Sequence, residues 1–175
     1  QSNKMEDIIM VGVSNTVSRS KEYNPLEDGK RYGQYLVGEL LPEISKQYRI
    51  KTDYDNRASM GASMGGLISM YLGWELKSEF SKVACLSPAF SYKNFNYIDK
   101  IQTLPKPKNL KLAIVNGTED LDSLLQSGVD QCIDYLNTAG FSEDNLLYWV
   151  SQGDSHSELA WARQSKKILV WMFPK

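Results

Sequence analysis

Gly61-Ala62-Ser63-Met64-Gly65-Gly66 carries the spacing G-x-S-x-G, in which a serine sits on a sharp turn from a strand into a helix with its hydroxyl exposed. Its flanks fit that turn. Arg57-Ala58-Ser59-Met60 has strand length and follows the turn-forming Thr52-Asp53-Tyr54-Asp55-Asn56. Leu67, Met70, Tyr71 and Trp74 recur at the i, i+3, i+4, i+7 spacing of a helix face. Side chains two positions before and after Ser63 are expected to collide with the neighbouring strand and helix, and Gly66 to allow further close packing. The alternative is a glycine-rich turn with an incidental serine.

A serine hydroxyl is a poor nucleophile at neutral pH and needs a base within hydrogen-bond reach, usually a histidine oriented by a carboxylate. The chain has one histidine, His156, in Gly153-Asp154-Ser155-His156, and Glu119 and Asp120 lie between it and the serine. For His156 the competing reading is an exposed helix-cap residue, and for Asp120 a turn or N-cap residue before Leu121.

Apolar runs at Ile8–Val13, Val83–Leu86, Leu110–Val115 and Leu146–Val150 read as buried strands. Ser14 to Lys30 reads as a long polar loop. Residues 33–48 read as a helix that Pro42 can kink or divide. A helical stripe runs from Leu121 to Leu136 with Gly140 as its stop, and Ser157 to Phe173 closes the chain as a helix halted by Pro174. Strands alternating with helices predict an α/β fold with a mostly parallel central sheet and ligands at the carboxyl ends of the strands. Ser63, the Glu119/Asp120 pair and His156 all follow predicted strands. Phe90, Tyr92, Phe95 and Tyr97, in the excursion 89–108, suit either a pocket wall or the packing of an inserted loop.

At 175 residues the chain is read as a single domain, 1–175. Its 20 basic and 21 acidic residues, with no long run of one sign, give no electrostatic reason for a nucleic acid or anionic membrane partner. No apolar run approaches the ~18 residues of a membrane span. One histidine and two separated cysteines offer no recognisable metal ligand set, and no cofactor motif is present. Cys85 and Cys132 are expected as buried free thiols. The chain is read as soluble, with a cytoplasmic or a secreted location and a homo-oligomer all compatible with its composition.

The elbow Gly61-Ala62-Ser63-Met64-Gly65-Gly66-Leu67, the downstream Ser87-Pro88-Ala89-Phe90, the turn Gly117-Thr118-Glu119-Asp120, and Gly153-x-x-His156 with Trp161 five residues on resemble the putative-esterase family of α/β-hydrolases. That group includes S-formylglutathione hydrolases, enterochelin-type siderophore esterases, feruloyl and acetylxylan carbohydrate esterases, and mycolyltransferases. The resemblance runs over nearly the whole chain and implies an α/β-hydrolase fold with helices on both faces of the sheet. It implies a serine carboxylic-ester hydrolase acting on a small-molecule or carbohydrate-linked ester. Siderophore esterase, acyltransferase and inactive hydrolase-like binding domain are the alternatives.

Carried onto this sequence, the resemblance makes Ser63 the nucleophile, His156 the general base and then acid, and Asp120 the orienting carboxylate, with Glu119 as its rival. The Met64 N–H becomes an oxyanion donor and Trp161 a substrate-stacking residue, the latter against a reading as helix packing. Asp154 and Glu158 are expected to cap or solvate the last helix. The family's earlier strands, including one that ends in His-Gly and whose following loop gives the second oxyanion donor, have no counterpart here. The chain is therefore expected to be N-terminally incomplete.

Overall fold

The computed structural model describes residues 4–175. In chain order its elements are α1 (Arg19–Glu22), α2 (Gly29–Tyr35), a π-helical turn (Leu36–Leu40), α3 (Leu41–Gln47), a 3₁₀ turn (Tyr54–Asn56), β1 (Ala58–Ala62) and α4 (Met64–Glu75). There follow β2 (Lys82–Leu86), the short hairpin β3 (Ser91–Tyr92) and β4 (Phe95–Asn96), α5 (Ile98–Ile101), β5 (Lys111–Gly117), α6 (Leu121–Thr138), β6 (Leu146–Ser151) and α7 (Glu158–Met172).

Four strands form one parallel sheet in the order β1-β2-β5-β6, with Gly61 opposite Cys85, Cys85 opposite Ile114 and Ile114 opposite Tyr148. Residues of the inner strands alternate between two apolar layers, as the two-residue period of a strand requires. Val83, Cys85, Leu112 and Ile114 pack with α4, α5 and α6. Ala84, Leu86, Ala113 and Val115 pack with Ile168 and Met172 of α7. Helices thus cover both faces, and every chain reversal into a helix after β1, β5 and β6 falls at the same end of the sheet. Cys85 and Cys132 are buried and unbonded in the larger layer, where burial pushes both thiols up.

Three regions differ from the sequence reading. Ile8–Val13 is not a strand: the segment is irregular, with Ile9, Met10 and Val11 exposed. An apolar run becomes a strand only where a neighbour completes its ladder, and among the described residues this run has no strand partner. Among the described residues the outer edge of β1 likewise has no strand neighbour.

The segment 14–30 is not all loop, because α1 and the start of α2 lie in it. The helix expected over 33–48 starts earlier and widens at Leu36–Leu40, where the Leu41 N–H bonds the Leu36 carbonyl. Pro42, which has no N–H and whose ring crowds the carbonyl four residues back, accounts for that widened turn. In the excursion 89–108, Phe90 and Tyr97 are fully buried in the core, so packing is their role.

Candidate active site

β1 passes into α4 through one residue. Ser63 has φ 58° and ψ −122°, a left-handed backbone that costs a non-glycine residue about 1–3 kcal/mol. Four backbone hydrogen bonds hold it there: its N–H donates to the Leu86 carbonyl (2.9 Å), and its carbonyl accepts from Gly66 (3.0 Å), Leu67 (3.2 Å) and Ala89 (3.2 Å). The elbow is thus pinned to both sides of Ser87.

A Cβ at Gly61 would lie 2.4 Å from the Gly65 carbonyl oxygen, and one at Gly66 3.0 Å from Pro88 Cβ. Gly65 departs from expectation, since a Cβ there meets nothing within 4 Å; the first turn of α4 faces open space at that point. Gly61→Ala is therefore expected to destabilise the fold by about 1–3 kcal/mol, and Gly65→Ala to change stability by less than about 0.5 kcal/mol. Denaturant midpoints of the two variants check this.

The histidine side of the site is built at the ends of β5 and β6. His156 follows β6 through a turn at Gly153 (φ 75°) and precedes Ser157, which N-caps α7 by accepting from the Ala160 N–H (3.4 Å). His156 Nδ1 lies 2.6 Å from Asp122 Oδ1. Asp122 is completely buried, and His156 keeps part of its surface open. The other carboxylate oxygen of Asp122, Oδ2, accepts from Ser87 Oγ (2.7 Å) and the Gly117 N–H (2.9 Å). Ser87 Oγ in turn accepts from Trp161 Nε1 (2.9 Å), and the Trp161 ring meets the His156 ring edge-on, centroids 5.0 Å apart. An acceptor at Nδ1 places the ring proton there and leaves Nε2 free to take one.

The carboxylate that reaches His156 is therefore Asp122, and the expectation for Asp120 is corrected. Asp120 is exposed, with φ 52° and ψ −130° at the entry to α6. Glu119 is exposed too, accepting from Thr118 Oγ1 (3.2 Å). Both stand on the turn outside the first helical residue, whereas position 122 lies on the inward face that also carries Leu125, Val129, Cys132 and Leu136. An aspartate in register with an apolar stripe is the signal that marks it, because a buried carboxylate must find partners.

Asp154 does not cap α7. Its carbonyl accepts from the Thr118 (3.0 Å) and Glu119 (3.1 Å) N–H groups, and its carboxylate takes Ser151 Oγ (2.7 Å), Gln164 Nε2 (2.9 Å) and the Arg163 guanidinium. It ties the 117–120 turn to α7. The Ser151 hydrogen bond, helped by Arg163 and Gln164, holds its carboxyl below the ordinary value of 3.8. A lowered folded value gives stability that is complete above 3.8 and is lost as pH falls from there through the lowered value. Asp154→Asn is expected to flatten the fall of the melting temperature over that acid range, leaving the profile above pH 5 parallel to wild type. Glu158 is exposed at the start of α7, where an acid suits the helix dipole.

A cavity of about 390 Å³ runs from the elbow along the outer edge of β1, lined among others by Val13, Arg19, Tyr23, Met60, Ala62 and Trp161. The Arg19 guanidinium lies 3.4 Å from the Ala62 carbonyl oxygen and over the Tyr23 ring, so the polar 14–30 region supplies one wall. Met64 is the first residue of α4, and its N–H has no acceptor within the helix. Among the described residues, no group of three or more potential metal ligands comes together.

A parallel sheet carrying a strained serine after β1 and a buried Asp–His pair drawn from the segments after β5 and β6 is the arrangement of an α/β-hydrolase. The chain matches the family model described as Putative esterase over residues 1–169 and belongs to that family.

It is 24% identical over 194 residues to the uncharacterized protein YbbA of Bacillus subtilis, covering the whole of this chain and 77% of that protein. It is 28% identical over 144 residues to an endo-1,4-beta-xylanase/feruloyl esterase of Xylanibacter ruminicola, covering 82% of this chain and 18% of that one. Among solved structures it is similar to the enterochelin esterase of Shigella flexneri, with a TM-score of 0.76, 16% identity, and 90% of this chain against 40% of that one. It is also similar to an S-formylglutathione hydrolase of Staphylococcus aureus, with a TM-score of 0.65, 23% identity, and 88% against 63%. The chain thus spans well under half of the enterochelin esterase and about a fifth of the xylanase/feruloyl esterase. Among the described residues no helix is long and apolar enough to cross a membrane.

Proposed function

We propose that this chain is a serine carboxylic-ester hydrolase that works through an acyl-enzyme on a small or carbohydrate-linked ester of the feruloyl or acetyl type. The observation that carries this reading is the 2.6 Å contact of His156 with the buried Asp122, at the sheet end where Ser63 is held in its strained turn. The sequence likeness to a xylanase/feruloyl esterase supports the substrate class.

Ser63 Oγ attacks the ester carbonyl while His156 Nε2 takes its proton. Among the described residues Ser63 Oγ has no hydrogen-bond partner, so in this reading its bond to His156 forms as the substrate arrives. The Met64 N–H faces the developing oxyanion. The imidazolium, steadied by Asp122, protonates the leaving alcohol, and a water deprotonated by the same ring then releases the acid and restores Ser63. Trp161 and Arg19 line the approach.

Mixing the protein with excess p-nitrophenyl acetate is expected to give a burst of p-nitrophenol stoichiometric with the chain and a mass gain of one acetyl group on the peptide containing Ser63. No burst and no adduct would overturn the reading. Product analysis in the presence of sugar alcohols separates hydrolysis from acyl transfer.

A further inference from the structure

Asp122 presents two carboxylate oxygens, and only Oδ1 faces His156. Oδ2 is held by Ser87 Oγ and the Gly117 N–H. Ser87 is fully buried, has φ 42°, and donates its own N–H to the Val115 carbonyl (2.7 Å). A left-handed serine with no exposed surface is held there by its surroundings, as Ser63 is one strand away.

The direction of the hydroxyl is also fixed. An indole N–H can only donate, so Trp161 Nε1 occupies an acceptor site on Ser87 Oγ and turns the single hydroxyl proton toward Asp122. The Trp161 ring then closes against His156. Four side chains form a closed ring from Trp161 to Ser87 to Asp122 to His156 and back.

We propose that Ser87 and Trp161 are positioning residues that lock the rotation of the Asp122 carboxylate and, through it, the plane and tautomer of His156. This makes orientation, rather than substrate stacking, the main work of Trp161. Hydrogen bonds linked in series away from water strengthen one another, so removing either end loosens the whole ring. The kinetic consequence rests on the hydrolase reading above; the structural one does not.

The test uses Ser87→Ala, Trp161→Phe and the double variant. Because the chain has one histidine, its imidazole resonances are unambiguous in ¹⁵N-labelled protein. The wild type is expected to show a deshielded, slowly exchanging Nδ1 proton, and each variant to lose it to exchange with solvent. With p-nitrophenyl acetate, kcat is expected to fall about ten-fold or more in Ser87→Ala, which loses a hydrogen bond to a charged group, and about three-fold or more in Trp161→Phe, which loses a neutral one. KM should stay within about two-fold of wild type. The double variant is expected to be no slower than Ser87→Ala, as members of one unit require.

Variants that keep the wild-type proton signal and kcat overturn the proposal. So does a raised KM at unchanged kcat in Trp161→Phe, which marks substrate stacking, or losses that multiply in the double variant. Should Ser87→Ala not fold, Trp161→Phe, which keeps an aromatic ring in place, decides by the same readouts. Wild-type protein with no Ser63-dependent turnover would refute the hydrolase reading alone, and the proton exchange would still decide the positioning role.

Discussion

Asp122→Asn is expected to lower kcat for ester hydrolysis on the order of 10⁴-fold, while Asp120→Asn stays within a few-fold of wild type. An asparagine keeps the shape of the buried side chain but brings an NH₂ group, which can face Nδ1 only if the histidine turns its proton to Nε2, the wrong tautomer for a base. Asp122 is fully enclosed and accepts three hydrogen bonds, from His156, Ser87 and Gly117, so no water replaces what the carboxylate supplies. Asp120 is solvent-exposed, and its backbone, with φ 52°, shapes the entry to α6. Steady-state kinetics of the two variants side by side check the pair. Equal losses, or a larger loss at 120, would contradict the geometry.

Ser63→Ala is expected to remove ester turnover almost entirely, on the order of 10⁶-fold in kcat, with the melting temperature little changed. The turn is held by main-chain bonds to Leu86, Gly66, Leu67 and Ala89, none of which uses the hydroxyl. Ser63→Gly separates chemistry from strain more sharply. It loses the hydroxyl equally but accepts φ 58° without penalty, so it is expected to be more stable than the alanine variant by about 1 kcal/mol. Residual turnover near wild type in either variant would remove Ser63 from the reaction.

The elbow was legible because its signals are local: glycine spacing, a short strand before and a helical stripe after, all within about twenty residues. The inner strands were legible as apolar runs since both of their faces are covered. Ile8–Val13 has the same composition and is not a strand, because pairing depends on a neighbour that composition does not report. The aspartate was misplaced by two residues for a related reason. Glu119 and Asp120 stand in the conspicuous turn, whereas Asp122 betrays itself only through helical register with Leu125 and Val129. Ser87 was visible as part of a motif, but its link to Trp161, 74 positions away, exists only once β2 and α7 are assembled.

Among the described residues the strand that delivers Ser63 is held on one flank only. β2 and β5 each have a companion on either side, while β1 relies on β2 and on α4 above it. Fraying of a sheet starts at its margins, so amide exchange should quicken from Lys111–Gly117 outward to Ala58–Ala62. Mild denaturant would then silence ester turnover before the tryptophans report loss of the core, with chemistry failing while most of the molecule still stands.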